Sequence, residues 1–205
     1  MTGKACRLFF DIEFNKVLNS GIDGDILMAK FREVLITHLK NFLAELCTGV
    51  APTSPDYGSI TMIELDSSNL QKFSRHLIIK LNSLAFRDVT HVGFFVWVFC
   101  TKIMQRIGGG DECLNCLLIK KKGEKEKKLF IDTSVYTQNR CFRLVLSAKF
   151  KDLGRRHLRI YNVDTRSCIN DKLLTKKTFF SSLASYPEKQ ETQRIIDFSK
   201  SQPEK

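Results

Sequence analysis

Residues 6–15, CRLFFDIEFN, place apolar side chains at every second position. These positions are Leu8, Phe10, Ile12 and Phe14. A period of two residues is that of a β-strand, in which alternate side chains point to opposite faces. One face of this strand must therefore lie against a core, while Asp11 and Glu13 project together from the other face. The chain is expected to build a sheet with one covered face and one face that carries acids.

Helical and strand patterns alternate along the rest of the chain. A helical period begins after Gly24, with Asp23 or Asp25 as its cap and with apolar positions at Ile26, Phe31, Val34, Leu35, Leu39, Phe42, Leu43 and Leu46. A second helix is predicted from about Thr90 to the residue before Gly108. Strands are predicted over residues 59–65 and 72–81 as one hairpin, over 117–119 and 128–132 as another, and over 141–146. The pattern predicts the α/β (α+β) class, a sheet with flanking helices.

Length and composition limit the number of domains. The chain has 205 residues, of which 43% are hydrophobic and 27% charged, so it is globular and long enough for one domain with its own core. No internal repeat is present, and no linker clearly divides residues 1–186, which we take as a single module. Residues 187–205 are polar, and we expect them to form a frayed tail.

Basic residues outnumber acidic residues, 33 against 22, which gives a formal charge of +11. A surplus of this kind favours a polyanionic partner: a nucleic acid, a nucleotide or an acidic membrane surface. No apolar run is long enough to cross a bilayer, because the stretch from 92 to 107 is short and contains Lys102 and Gln105. We expect no membrane partner, and we expect a monomer.

The seven cysteines are odd in number, and we interpret them as reduced thiols in an intracellular compartment. We expect no signal peptide, since Met1 leads within a few residues into the first strand pattern. Cys113 and Cys116 form a lone C-x-x-C pair with no second pair of ligands nearby. We interpret this pair as two ordinary thiols, with a zinc site as the alternative.

Asp11 and Glu13 carry the sharpest chemical signal. Two positions apart on one strand face, they are about 6–7 Å apart along the backbone, so their flexible ends can converge on a divalent cation. A bound metal would also offset the solvation that two acids lose on an otherwise apolar strand. The alternative interpretation is an exposed edge strand with two solvated carboxylates.

A second group of polar side chains lies in the sequence KFSRH. Lys72, Ser74 and His76 alternate and share one face of a predicted strand, whereas Phe73 and Arg75 face the other way. An ammonium, a hydroxyl and an imidazole in a row suit the oxygens of a triphosphate. A polar strand face that is simply exposed to water is the alternative.

A third acid, Asp132, ends the predicted buried strand in LFIDTSVYTQNRCFR. Four polar or basic residues follow it within seventeen positions: Asn139, Arg140, Arg143 and Lys149. Arginine clamps phosphates through paired hydrogen bonds, and lysine adds a point charge, although a solvated basic hairpin is the alternative. Three acids and a row of phosphate donors meet the needs of two-metal nucleotidyl transfer. In that reaction one ion activates the attacking 3′-hydroxyl and the other stabilises the leaving pyrophosphate.

Three strings carry a resemblance to a known family: FFDIEFNK, LDSS followed by KFSRHLI, and LFIDTSVYTQNRCFRL. In their order and flanking residues they resemble the three catalytic motifs of the eukaryotic primase-polymerases (PrimPol) of the archaeo-eukaryotic primase superfamily. The resemblance extends over about residues 7–149, and FFSSL near residue 180 also fits. It implies the catalytic module of that superfamily, an RRM-like mixed sheet with helices behind it.

The resemblance also implies roles for individual residues. Two divalent ions, Mg²⁺ or Mn²⁺, would be held by Asp11, Glu13 and Asp132. The phosphates of an incoming dNTP or NTP would be bound by Lys72, Ser74, His76, Arg143 and Lys149, with Asn139 and Arg140 beside the nucleotide or the primer–template. Members of the family prime single-stranded DNA, extend primers past lesions, and restart stalled forks in the nucleus and the mitochondrion.

The chain departs from the family's pattern in three ways. Only ten residues precede Asp11, where the family carries an N-terminal module, and the segment between His76 and Asp132 is short. The C-terminal zinc-binding and partner-binding regions have no counterpart. We therefore expect primer extension more readily than de novo priming, from a chain that is a fragment, a short isoform or an incomplete gene model.

Two other functions fit parts of the same pattern. A catalytically silent module would bind single-stranded DNA through its basic face and its phenylalanines. A metal-dependent nuclease would use clustered acids on a sheet for hydrolysis. The row of phosphate donors argues against the nuclease, because hydrolysis does not need a triphosphate grip.

Overall fold

The computed structural model describes residues 3–47, 59–137, 140–149, 157–189 and 191–199. In chain order the strands and α-helices are β1 Leu8–Asn15, α1 Gly24–Cys47, β2 Ile60–Asp66, β3 Lys72–Leu81, β4 Leu84–Phe86, α2 Val89–Gly108, β5 Leu118–Ile119, β6 Lys128–Leu129, β7 Arg159–Asn162, β8 Ser167–Cys168, α3 Lys176–Ser181 and β9 Arg194–Ile196. Short 3₁₀ helices cover Glu112–Leu117, Thr133–Tyr136 and Asp171–Leu173. The predicted α/β (α+β) class is confirmed.

A seven-stranded sheet organises the described part of the chain. Its strand order is β8-β7-β2-β3-β4-β9, and β1 also pairs with β3. The pairs are antiparallel except for β4 with β9, which run parallel. The predicted hairpin of residues 59–65 with 72–81 is confirmed as β2 and β3. β5 and β6 form a separate two-stranded hairpin.

The register between β1 and β3 brings the two predicted polar rows together. Asp11 lies opposite His76, and Glu13 lies opposite Ser74. Residues directly opposite one another in an antiparallel pair have their side chains on the same sheet face. The acids of β1 and the donors of β3 therefore share one face, which we call the acid face and define by Asp11, Glu13, Lys72, Ser74 and His76.

A short segment after β6 lies along the free edge of β1. Ile131 forms an isolated antiparallel bridge with Ile12, and the N–H of Asp132 donates to the carbonyl of Asp11 at 2.8 Å. The order across the sheet is then residues 130–132, β1, β3 and β2. Along the chain, α1 connects β1 to β2, and α2 lies between β3 and residues 130–132. This is the βαββαβ arrangement of an RRM-like sheet, as the resemblance implied.

Helices α1 and α2 pack against the face of β1 that lies opposite the acids. The side chain of Asp23 caps α1, accepting from the N–H of Asp25 at 2.8 Å, and Asp88 caps α2. Between the helices and the sheet, the core is rich in phenylalanine, with edge-on ring contacts among Phe10, Phe31, Phe99 and Phe130. Each buried ring of this kind contributes roughly 1.5–3 kcal/mol of hydrophobic stabilisation. The core therefore holds β1 with its acids pointing away from the helices.

The start of α1 requires a glycine. The ring of Phe73 packs so closely against the backbone of Gly24 that a Cβ on this residue would collide with it. Phe73 also stacks on Phe14 of the neighbouring strand, with 4.9 Å between ring centroids. The glycine thus lets the helix sit directly on the apolar side of the β1–β3 pair.

The predicted strand over residues 141–146 is wrong. This segment is irregular and ends in a turn, in which Leu146 has a φ of +65°. Phe142 packs against the rings of His76 and Phe9, with 4.2 and 4.6 Å between centroids, and Val145 is buried. The apolar residues that suggested a strand are instead anchored over the acid side of the sheet, because contacts with β1 and β3 decide their direction.

The expectation of a frayed tail after residue 186 is also wrong for the described residues up to 199. β9 extends the sheet by pairing with β4, and Glu191 forms a buried ion pair with Arg7, 2.7 Å from Nη2 to Oε1. Phe198 packs on Phe94 of α2 with 5.0 Å between centroids. These contacts join residues more than one hundred positions apart, so the polar local composition gave no sign of them.

Within the described residues, no helix combines the length and the apolarity needed to cross a bilayer. Free thiols are present at Cys6, Cys100, Cys113, Cys116, Cys141 and Cys168. Both cysteines of the C-x-x-C pair, Cys113 and Cys116, are exposed on the first 3₁₀ helix.

Candidate active site

Three carboxylates share the centre of the acid face. Asp11 and Glu13 extend from β1 to the same side, because they are two positions apart on a strand. The bridge between Ile12 and Ile131 sets the register of the neighbouring segment, so that Asp132 lies opposite Asp11. The structure thus brings the three predicted acids to one side of the sheet, and their role as metal ligands stays a prediction.

Asp11 shows the electrostatic effect of this proximity. Its side chain is 17% exposed. Burial, together with the charges of Glu13 and Asp132, raises the pKa of its carboxyl to about 6. Its Oδ1 is buried and has no hydrogen-bond donor among the described residues, with Nε2 of His76 3.6 Å away. A buried carboxylate oxygen without a donor costs free energy until a proton or a cation meets it.

The other two carboxylates already have partners. The ammonium of Lys72 forms an ion pair with Glu13 Oε2, and Asp132 Oδ1 accepts from the N–H of Ser134 at 2.9 Å. In the ranges that the structure describes, no group of three His, Cys, Asp or Glu side chains has the arrangement of a metal site. Glu13 would join Asp11 and Asp132 as a cation ligand by exchanging its ion pair with Lys72 for the cation. Their all-oxygen donor set and the partnerless Asp11 oxygen fit a hard divalent ion such as Mg²⁺ or Mn²⁺.

His76 is a buried, uncharged neighbour of these acids. His76 is 3% exposed, and its ring stacks on the ring of Phe142. Burial lowers the pKa of His76 to about 3, and the charges of Arg143, Lys149 and Lys72 act in the same direction. The imidazole is therefore neutral near pH 7 and can donate one hydrogen bond. Its Nδ1 has no partner among the described residues, so this atom is available to a ligand.

Arg143 reaches the acid face through a serine to which the sequence patterns assigned no role. Its Nη2 donates to Ser67 Oγ at 2.8 Å, and Ser67 Oγ donates to Ser74 Oγ at 3.2 Å. Ser67 belongs to the LDSS string at the end of β2, which was part of the resemblance and was the available signal for this serine. The charge of Arg143 also counteracts the rise in the pKa of Asp11, which shows that the guanidinium lies within electrostatic reach of the carboxylates.

The other predicted phosphate ligands, Lys149, Arg140 and Asn139, are not placed beside the carboxylates as directly as Ser74, His76 and Arg143 are. Lys149 is exposed, but its charge contributes to the low pKa of His76. Arg140 is exposed and donates from Nε to Thr137 Oγ1 at 3.2 Å, and within the described ranges it makes no hydrogen bond or ion pair with the three acids. Asn139 lies outside the described residues. The structure thus groups Ser74, His76 and Arg143 beside the carboxylates and leaves Arg140 apart.

On the opposite face of β3, Arg75 anchors the strand. Its guanidinium contacts three carboxylates: Asp25 at 2.6 Å, Glu64 at 3.0 Å and Asp66 at 3.2 Å. It also lies over the ring of Tyr161, with its central carbon 3.4 Å from the centroid. Because Arg75 sits between Ser74 and His76 in sequence, this cluster holds the backbone that presents both of them to the acid face.

The chain is similar in sequence to vertebrate proteins that share one name. It is 30% identical to the DNA-directed primase/polymerase protein of Homo sapiens over an alignment of 255 residues, which covers 96% of this chain and 43% of the human protein. It is 33% identical over 181 residues to the protein of that name from Mus musculus, with 70% of this chain and 32% of the relative covered. The corresponding values for Bos taurus are 32% over 199 residues, 70% and 34%. The chain therefore spans less than half the length of these relatives. No protein-family model matches the chain.

Proposed function

We propose that the acid face carries out template-directed nucleotidyl transfer, because the chain belongs to the family of the DNA-directed primase/polymerase proteins. The proposed substrates are a primed single-stranded DNA template and a dNTP or NTP. The proposed activities are priming and damage-tolerant primer extension at stalled forks, in the nucleus and the mitochondrion. One observation carries the proposal: the partnerless buried oxygen of Asp11 lies where three carboxylates share a sheet face.

We assign the divalent ions, Mg²⁺ or Mn²⁺, to Asp11, Glu13 and Asp132. When bound, such ions would activate the attacking 3′-hydroxyl and neutralise the triphosphate. The contribution of the chain itself is a set of carboxylates in which burial, followed by the charges of Glu13 and Asp132, raises the pKa of Asp11 to about 6, and a bound cation would offset both effects. Departure of Lys72 from Glu13 would free the second carboxylate for that purpose.

We assign the triphosphate to the end of the acid face at which His76 lies. The neutral imidazole of His76 donates a hydrogen bond without adding charge, and the hydroxyl of Ser74 is a second donor. Arg143 can contact two phosphate oxygens at once through its planar guanidinium, and Lys149 adds a point charge. In-line phosphoryl transfer depends on positioning and charge neutralisation more than on covalent chemistry, and these groups supply both.

A catalytically silent module that binds single-stranded DNA is the second candidate function. It is favoured by the ion pair between Lys72 and Glu13, and by the lack of a three-ligand metal arrangement within the described residues. If that ion pair persisted in the presence of nucleotide and cation, the basic surface would bind DNA without any chemistry.

Primer extension by the full 205-residue chain separates the candidates. The reaction contains Mn²⁺ or Mg²⁺, dNTPs and a 5′-labelled primer on a longer template, with Asp11→Asn as the matched control. Longer primers from the wild type alone support the polymerase. Unchanged primers that still bind the chain favour the silent module, and shortened primers would identify a nuclease and contradict the proposal.

A further inference from the structure

The segment that carries Asp132 leaves the sheet directly after this residue. Up to that point it pairs with β1 as an antiparallel strand does. The N–H of Glu13 donates to the carbonyl of Phe130 at 3.2 Å, and the N–H of Asp132 donates to the carbonyl of Asp11 at 2.8 Å. The backbone of Asp132 is therefore fixed against β1 on one side, and the residues that follow decide how it is held on the other.

A tyrosine hydroxyl takes the next step of this ladder. The bridge between Ile12 and Ile131 sets a register in which the N–H of residue 134 would donate to the carbonyl of Phe9. The N–H of Ser134 donates instead to Asp132 Oδ1 at 2.9 Å, and the carbonyl of Phe9 accepts from the hydroxyl of Tyr136 at 2.7 Å. A side-chain donor thus takes the place of a backbone donor, and it joins the 3₁₀ helix that follows Asp132 to β1.

Tyr136 is held from two sides. Its ring packs against that of Phe9, with 5.2 Å between centroids. On α2, a Cβ built on Gly93 would lie 2.8 Å from the Cβ of Tyr136, so only glycine lets the tyrosine approach the helix this closely. Burial raises the pKa of the phenol well above its ordinary value, and the hydroxyl therefore keeps its proton and stays a donor.

These contacts place Asp132 between two anchors on the same strand. Its own N–H is bonded to Asp11, and four residues later the hydroxyl of Tyr136 is bonded to Phe9, two positions before Asp11. The 3₁₀ helix between the anchors begins at the carboxylate of Asp132, which accepts from Ser134. The direction of that carboxylate relative to Asp11 therefore depends on both anchors. A displacement of about 1 Å at a reacting centre can cost on the order of 100-fold in rate.

We infer that Tyr136 is a positioning residue for the acid face: its hydroxyl, held in place by Gly93, fixes the carboxylate of Asp132 where it shares a divalent ion with Asp11. The inference deepens the proposed function and rests on it, because it assigns Asp132 to the ion. It extends the site to a glycine on α2 and to a hydroxyl that contacts neither substrate nor ion.

The test compares two tyrosines that each lose one buried hydroxyl. Tyr136→Phe removes the bond to Phe9, and the matched control Tyr161→Phe removes the bonds to Asp25 on the opposite face of the sheet. Both tyrosines are 9% exposed. Electron paramagnetic resonance of free Mn²⁺ gives the Kd of the ion for the full chain without catalysis. Binding that Asp11→Asn removes is assigned to the acid face, and primer extension at varied Mn²⁺ and dNTP concentrations gives kcat and KM.

Tyr136→Phe is expected to raise the Kd of Mn²⁺ at the acid face roughly 10-fold or more, as the loss of a group that orients a metal ligand does. At saturating Mn²⁺ its kcat should fall roughly 10-fold, whereas the KM for the nucleotide should change by less than about 3-fold, because the phosphate donors are untouched. Tyr161→Phe should leave the Kd of Mn²⁺ within about 2-fold of the wild type, whatever it costs in Tm.

Gly93→Ala tests the same contact from α2. The added methyl group would collide with Tyr136 close to its backbone, so we expect the Kd of Mn²⁺ to rise in this variant as well. The matched control is Gly108→Ala at the end of the same helix, where an added Cβ meets no atom within 4 Å. Because both substitutions act on one contact, the effects of Gly93→Ala and Tyr136→Phe should not add in the double variant.

The wild type and the variants answer different questions. A wild-type chain that neither binds Mn²⁺ at the acid face nor extends primers would overturn the proposed function, and the inference with it. A wild type that extends primers, with an unchanged Kd and kcat in Tyr136→Phe, would keep the proposed function and refute the inference. Equal changes in Tyr136→Phe and Tyr161→Phe would reduce the effect to stability and also refute it. A selective rise in Kd supports the inference even in a chain that extends no primer.

Discussion

The two faces of the central sheet differ in whether their buried carboxylates have partners within the described part of the chain. On the face that α1 covers, Glu64 is 3% exposed and pairs with both Arg32 and Arg75. On the acid face, Asp11 has a buried oxygen without a donor among the described residues, and burial together with its acidic neighbours raises its pKa to about 6. The protein supplies the counter-charge for the first carboxylate, whereas an oxygen of the second has no hydrogen-bond donor among the described residues.

This difference separates charges that hold the fold together from charges that are available for chemistry. A complete buried ion cluster such as that of Arg75 is destabilised strongly when one partner is lost. A carboxylate held beside other carboxylates destabilises the folded chain as long as no cation binds, which is a common property of functional sites. Substitutions on the two faces should therefore move stability and activity in different directions.

The largest effect is expected from Asp11→Asn on the acid face. Primer extension should fall by at least about 10⁴-fold, or roughly 5 kcal/mol of transition-state stabilisation, because the amide is a poor ligand for a divalent ion. DNA binding should stay within a few fold of the wild type. Single-turnover extension and anisotropy measure the two quantities, and an equal loss of both would contradict the proposed metal-ligand role.

On the other face, Arg75→Met should lower the free energy of unfolding by about 3–5 kcal/mol, because it leaves a buried group of carboxylates without this cation. Urea denaturation measures the change. The folded fraction at low temperature should still extend primers, since no group on the acid face is altered. A loss below about 1 kcal/mol would show that Arg32 and Tyr161 suffice to hold the cluster together.

Mn²⁺ should stabilise the wild-type chain through the acid face. At a concentration about 100 times its Kd, the free energy of unfolding should rise by about 2.7 kcal/mol, which thermal denaturation detects as an increase in Tm. The increase should disappear in Asp11→Asn and persist in a variant of the exposed Glu33, Glu33→Gln. The same increase in all three proteins would place the ion elsewhere.

Asp11 and His76 should give stability opposite dependences on pH. The folded pKa of Asp11 is about 6 against an ordinary 3.8, so ionisation removes stability as pH rises from about 4 through 6. Relative to the wild type, metal-free Asp11→Asn should be nearly unchanged at pH 4 and more stable by roughly 2–3 kcal/mol above pH 6.

The folded pKa of His76 is about 3 against an ordinary 6.5, so protonation removes stability as pH falls below about 6.5. His76→Gln should therefore gain stability relative to the wild type as pH is lowered from 7 to 4. Urea denaturation at a series of pH values gives both differences. Parallel slopes in the two variants would contradict the electrostatic description of the acid face.

A smaller effect is expected from Arg143→Ala and from His76→Ala. Each should raise the KM for the incoming nucleotide about 10-fold, or roughly 1.4 kcal/mol, with a smaller change in kcat. Steady-state extension at varied dNTP concentration measures this change, with Arg140→Ala as the control, because the Arg140 side chain bonds to Thr137 and not to the acids. An unchanged KM in both variants would count against the triphosphate assignment.

Several features of the fold and the site followed from local patterns. The helical period placed α1 and α2 to within a few residues, and the turn residues between 66 and 71 placed the β2–β3 hairpin. The alternation in residues 6–15 predicted the common face of Asp11 and Glu13. These predictions depended on neighbours in sequence, where backbone geometry alone determines the direction of a side chain.

Local sequence patterns did not predict the contacts between segments that are distant in sequence. The irregular course of 141–146, the sheet contacts of β9 and the ion pair between Lys72 and Glu13 each depend on partners that no local period specifies. The hydrogen bonds of Asn19 to Lys120 join residues 101 positions apart.

By itself, the sequence determined which side chains share a strand or helix face, because that depends on the fixed geometry of consecutive residues. It also determined the supply of acids and cations. Only the tertiary structure decided that Asp11 lies opposite His76 and beside Asp132, and that Arg143 lies within electrostatic reach of the same carboxylates. Strand register and loop packing follow from the summed burial of the whole core, so no single segment contains the information that sets them.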